Sequence, residues 1–169
     1  MLKKLLILLI ALTPAVAFSQ GVKLAYVNSQ ELFSAMPELS SIETQLGNEQ
    51  EQIKKNGEAL QQEFNKKLEE FQKAGNVSEA VKQDQQKQLQ EIEERYQTYI
   101  QTSQKRMQEL QEKLLGPVHQ KIATAIKNVG DEKGYTFIFD VATMQSPIVY
   151  VNPSAVNATA EVKAKLGVK

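Results

Sequence analysis

Few residues of this chain have side chains suited to catalysis. The single histidine, His119, follows Pro117 and Val118. An imidazole can act as a general base or as a metal ligand, but a metal site needs further ligands converging on it. No His-x-x-His or Cys-x-x-Cys spacing occurs, and there is no cysteine at all. His119 therefore reads as a polar residue near the root of a helix. Asp140 is the one carboxylate in an apolar setting, within Tyr135-Thr136-Phe137-Ile138-Phe139-Asp140-Val141. Near the end of a strand it is better placed to cap a turn than to abstract a proton. Other carboxylates form pairs such as Glu51/Lys55, Glu63/Lys67 and Glu69/Lys73, the i, i+4 order of a solvated helix face. There is no Gly-rich phosphate loop and no nucleophile elbow. No enzyme, no metal and no cofactor is expected.

What remains is a periodic apolar pattern. From Glu38 to about Lys73 the apolar positions are Leu39, Ile42, Leu46, Ile53, Leu60, Phe64, Leu68 and Phe71. Steps of three, four and seven make one narrow stripe on a helix. Gly57 stands where the stripe lacks a side chain and weakens the helix by about 1 kcal/mol relative to Ala. Ala74-Gly75-Asn76-Val77 is a turn signal, with Gly75 suited to end one helix and Asn76 to cap the next. The stripe resumes at Val81 and runs through Leu89, Ile92, Tyr96, Ile100, Met107, Leu110, Leu114, Val118, Ile122, Ile126 and Val129. Gly116-Pro117 is expected to bend this second helix without ending it, since the period survives on both sides. Gly134 ends it. Two such helices joined by a tight turn predict an antiparallel hairpin, whose arms of roughly 55 Å stand out from any compact body.

The arm-on-arm seam of a two-stranded coiled coil accounts for most of the stripe. The aromatics are harder to place, because Tyr96 and Tyr99 cannot both sit at the centre of one seam. Phe64, Leu68, Phe71, Tyr96, Tyr99 and Met107 are therefore the candidate partner-binding residues. From Ser41 to Lys113 the arm has 11 basic and 14 acidic residues. That mixed surface lacks the basic stripe that phosphate binding requires, so no nucleic-acid partner is expected.

The rest of the chain is short. Val22–Val27 reads as a strand, followed by an Asn28…Glu31 capping pair, a short helix over Gln30–Ala35, and Pro37 as the first residue of the long helix. Tyr135–Val141 is a second strand. Ile148–Val151 is a third, expected to pair with the second as a hairpin after a Met144-Gln145-Ser146-Pro147 turn. Asn157 can cap a last helix carrying Val162 and Leu166 and closed by Gly167. The fold class is α+β. Residues 21–36 and 131–169 form a small body, and 37–130 form the arm, with its turn at 74–77. The body core is small for a chain of this length, which points to an oligomer that shares a core between subunits.

Residues 1–20 read as a signal peptide. Lys3-Lys4 precede an apolar run from Leu5 to Leu12, and Ala15-Val16-Ala17 offers a small-x-small cleavage pattern. Cleavage is expected between about Ala17 and Gln20. The run is far short of the roughly 20 residues of a spanning helix. Without Lys3 and Lys4 the chain carries 18 basic and 20 acidic residues, so no overall field draws it to anionic surfaces.

The order of these segments resembles the OmpH-like (Skp) family of periplasmic chaperones along the whole exported chain. The resemblance is carried by Val22-Lys23-Leu24-Ala25-Tyr26-Val27-Asn28-Ser29-Gln30-Glu31-Leu32-Phe33, Lys133-Gly134-Tyr135-Thr136-Phe137-Ile138-Phe139-Asp140 and Ile148-Val149-Tyr150-Val151-Asn152-Pro153-Ser154. It implies a homotrimer in the periplasm whose strands build a shared body from which three hairpins hang. Leu24, Tyr26, Phe137, Ile138, Phe139, Val149 and Val151 are then the candidate trimer-body residues. It also implies an ATP-independent holdase that takes unfolded outer-membrane proteins between its arms. The arm here is neutral to slightly acidic, whereas the best-known members of the family have basic arms. No strong membrane or lipopolysaccharide binding is therefore expected. The alternative reading is a coiled-coil adaptor with one folded partner.

Overall fold

The computed structural model describes residues 21–169 apart from 76 and 143–145. The expected signal peptide, Asn76 and the Met144-Gln145 part of the expected turn lie outside the described residues.

Strand β1 (Leu24–Val27) leads into helix α1 (Ser29–Ser34). Asn28 caps α1, its side chain accepting from the Glu31 N–H at 3.0 Å. The long helices are α2 (Leu39–Lys73) and α3 (Glu79–Lys133), of 35 and 55 residues. Pro37 stands outside α2, in a turn closed by the Leu39 N–H on the Met36 carbonyl at 3.2 Å. That places the start of the helix two residues later than Pro37 suggests. Ala74 and Gly75, the latter at φ +55°, close α2. Ser78 caps α3, accepting from Val81 N–H at 3.4 Å. The last elements are β2 (Phe137–Asp140), β3 (Val156–Asn157) and helix α4 (Thr159–Leu166).

The two long helices run antiparallel. Cross-arm ion pairs join Glu38 to Lys121 at 2.7 Å, Glu49 to Arg106 at 2.5 Å and Glu63 to Arg95 at 2.6 Å, so positions rise on α2 as they fall on α3. Pro117 lies inside α3, which continues past it to Lys133. There Gly134, at φ +67°, ends the helix in the left-handed conformation that glycine adopts without steric cost.

α3 has 20 residues more than α2, roughly 30 Å of extra helix at 1.5 Å per residue. That excess carries the chain back past the root of the arm to the start of β1. There the Lys23 ammonium donates to the Lys133 carbonyl at 2.6 Å, and the Thr136 N–H donates to the Lys23 carbonyl at 2.8 Å. β2 therefore starts where β1 starts and pairs parallel to it, Leu24 opposite Phe137 and Tyr26 opposite Phe139. β3 pairs parallel to the other edge of β1, and the sheet order is β2-β1-β3.

This corrects the expected hairpin between the second strand and Ile148–Val151. Residues 148–151 form no strand. The chain is deflected after β2, where the Ser146 hydroxyl donates to the Asp140 carbonyl at 2.7 Å. It then crosses the outer face of the sheet, where Ile148, Tyr150 and Val151 line a cleft of about 210 Å³ with Leu24, Tyr26 and Phe139.

The core lies on the sheet's inner face. Ala25 and Val27 point into it from β1, at 4% and 2% exposure, against Val118, Ile122, Ala125 and Val129 of α3. Leu32, Met36 and Ile42 close one side; Ala158 and Val162, both fully buried, close the other. The 4-3-4 spacing on α3 is the period a helix needs to keep one face inward.

Candidate functional site: the arm and the outer face of the sheet

The two residues with catalytic side chains are otherwise engaged. His119 is exposed, its ring stacked on Phe33 with centroids 5.2 Å apart and planes 15° from parallel. The Asp140 carboxylate joins the end of β2 to the start of α1. Its Oδ1 accepts from the Ser29 and Ala142 N–H groups at 3.1 and 3.0 Å, and its Oδ2 from the Ser29 hydroxyl at 2.5 Å. Partial burial pushes the carboxyl pKa up. The Ser29 hydroxyl and the two N–H donors outweigh that and hold it below the usual carboxylate range. Among the described residues no three metal-ligating side chains converge, and no helix is long and apolar enough to cross a membrane.

The arm's candidate residues Phe64, Leu68, Phe71, Tyr96, Tyr99 and Met107 are all half-buried. Tyr99 is a seam residue. Its hydroxyl donates to the Ile53 carbonyl at 3.1 Å, and its ring edge lies 3.9 Å from where a Cβ on Gly57 would stand. The gap in the α2 stripe is thus the seat of a tyrosine reaching across from α3. Tyr96 faces the other side of the seam and lines a small cleft of about 170 Å³ with Leu60, Phe64 and Ile92. The distal groove beside Tyr99 is strongly charged, bordered by Glu63, Lys67, Glu91, Glu94 and Arg95.

The seam residue that the stripe conceals is Ser103. It is 4% exposed, between Ile100 and Met107. The signal was the seven-residue step from Ile100 to Met107, which leaves an inward position to be filled by something other than an apolar side chain.

The body's candidates divide by face. Leu24, Phe137 and Phe139 point outward at 48%, 57% and 38% exposure, and Val149 is 99% exposed beside Tyr150 at 72%. Tyr26 and Val151 are half-buried at the outer cleft. Ile138 differs from that group in its face. It faces the protomer's own core, its Cδ1 3.4 Å from where a Cβ on Gly130 would stand, because residues alternate across a strand.

Fold and surfaces define a class: a small parallel sheet with an apolar outer face, carrying a long, polar helical hairpin. The profile of the family described as Outer membrane protein (OmpH-like) matches residues 23–166, and the chain belongs to that family. Its fold is similar to the crystal structure of a putative outer membrane chaperone (OmpH-like) from Caulobacter crescentus CB15. That likeness has a TM-score of 0.69 at 17% identity, over 85% of this chain and 82% of that one. No curated protein matches.

Proposed function

We propose that this protein is an ATP-independent holdase of the periplasm that assembles as a homotrimer and shelters unfolded outer-membrane proteins between its arms. The observation that carries this reading is the fold shared, over most of both chains, with a protein described as a putative outer membrane chaperone. Two features support it. Among the described residues the arm's buried contacts with the body come from its root, Ile42 of α2 and Val118, Ile122, Ala125 and Val129 of α3, so arms can splay around clients of different size. The outer face of the sheet leaves Leu24, Phe137 and Phe139 in solvent together, the kind of clustered apolar surface that marks contacts between chains. Residues 148–151, Ile-Val-Tyr-Val, lie outside the sheet's ladder beside that face, with Val149 and Tyr150 exposed.

The test is light scattering of a urea-unfolded outer-membrane β-barrel protein diluted into buffer with the protein present. Suppression of aggregation at one trimer per client is expected, and undiminished turbidity at that ratio would sink the holdase. The polar, ion-paired arm surface also suits a coiled-coil adaptor. That reading predicts no generic suppression but a saturable complex with one folded partner.

A further inference from the structure

The arm carries two grooves of about 830 Å³ each along its seam, and they differ in chemistry. The distal one is bordered by five charged side chains. The proximal one has an apolar floor of Leu46, Ile53, Ile100 and Met107, and of its lining residues only Glu43 carries a charge. Its rim is made of amides, Gln50 from α2 and Gln104, Gln108 and Gln111 from α3, all exposed.

Two details of this groove are unexplained by packing of the arm. Gly47 lies in its wall, and nothing stands within 4 Å of where its Cβ would be. No neighbour demands a glycine there, and the gap lets another backbone approach closely. Ser103, which also lines the groove, has a buried hydroxyl with no hydrogen-bond partner. The threonine hydroxyls of Thr44, Thr102 and Thr124 bond back to their own helices, Thr102 to the Thr98 carbonyl at 2.8 Å, whereas that of Ser103 does not. A buried polar group left unpaired is costly and calls for a partner.

We propose that the proximal groove binds an extended, uncharged polypeptide segment, with the rim amides and the Ser103 hydroxyl bonding its backbone. This rests on the holdase reading and locates client capture within it. Glutamine offers both a donor and an acceptor, which is what a peptide unit needs. Residues four apart on a helix rise about 6 Å, close to the roughly 6.7 Å repeat of two residues in an extended chain. Gln104 and Gln108 are therefore nearly in step with successive peptide groups facing the rim. The near-neutral lining disfavours a charged segment, which would lose hydration there without an opposite charge to meet it.

The test uses fluorescence anisotropy of a labelled twelve-residue peptide of alternating Val, Tyr, Thr and Gln, with acidic and basic sister peptides, and the full mature chain. The uncharged peptide is expected to bind best, with an affinity unchanged between low and high salt. Gly47→Leu, which plugs the groove and suits a helix better than glycine, is expected to weaken binding about tenfold. Ser103→Ala should weaken it about fivefold. Both variants should melt no lower than the wild type, which separates blocked binding from lost folding. Undiminished binding by Gly47→Leu, or binding governed by salt, overturns the proposal. A wild type that suppresses aggregation together with an equally active Gly47→Leu leaves the holdase standing and removes the groove. A wild type that fails to suppress aggregation removes the holdase, while the peptide titration still decides the groove.

Discussion

Asp140 shows how one side chain holds two distant segments together. Its carboxylate takes two N–H groups and a hydroxyl, from Ser29 and Ala142, and so fixes the exit of β2 to the entry of α1, 111 residues away in sequence. Replacing it with alanine leaves those donors without their acceptor. Asp140→Ala is expected to cost about 2 kcal/mol, a fall of several degrees in melting temperature at neutral pH. The folded state holds this carboxyl below its ordinary pKa. Its ionic contribution is thus fully present above the unfolded value, near 3.9, and is lost as pH falls through the lower folded value. The difference between wild type and variant should narrow in melts below about pH 4. A difference that is constant from neutral to strongly acid pH would show that the ionised form contributes nothing.

At the scale of the elements, the seam between α2 and α3 sets what the hairpin tolerates. A methyl on Gly57 would meet the Tyr99 ring at ordinary contact distance, 3.9 Å. Gly57→Ala should therefore gain most of the helix-propensity difference, about 0.5–1 kcal/mol, read as a higher urea midpoint with unchanged m-value. A larger residue such as Phe would drive the tyrosine off the Ile53 carbonyl and reverse the sign. The hairpin itself was legible because apolar spacing and Gly75 are local signals. What filled the gaps in the stripe was not legible, since Tyr99 and Ser103 occupy seam positions that no apolar count identifies. The sheet was legible only where strands are long. Ile148–Val151 has the composition of a strand but lies outside the ladder, because the Ser146–Asp140 bond turns the chain across the sheet. Val156–Asn157, two residues with no pattern of their own, takes the edge instead, held by the Ala158 N–H on the Tyr26 carbonyl at 2.8 Å. Parallel pairing was hidden for a related reason, being set by the length of α3 and not by anything within the strands.

For the whole molecule, the distribution of exposed apolar side chains says where copies would meet. Val81 is the one large hydrophobic side chain of the described arm residues that is prominently exposed. The others, among them Leu24, Phe137, Phe139, Val149, Tyr150 and Val156, belong to the body. In the proposed trimer the body's outer face is the contact, and strand alternation separates assembly from folding in two neighbouring residues. Phe137 points out and Ile138 points in. Phe137→Asp puts a carboxylate in the contact between copies, at a cost of about 3 kcal/mol or more in each subunit if it stays charged there, and leaves the protomer core untouched. Ile138→Asp puts the same charge beside Gly130, inside each protomer. Sedimentation velocity should find the wild type as a trimer and Phe137→Asp as a monomer that keeps its helical circular dichroism. Ile138→Asp should lose the body's cooperative melting whatever its state of assembly. A wild type that sediments as a monomer at micromolar concentration would remove the shared body. Two variants that behave alike would show that outer and inner faces are not separately used.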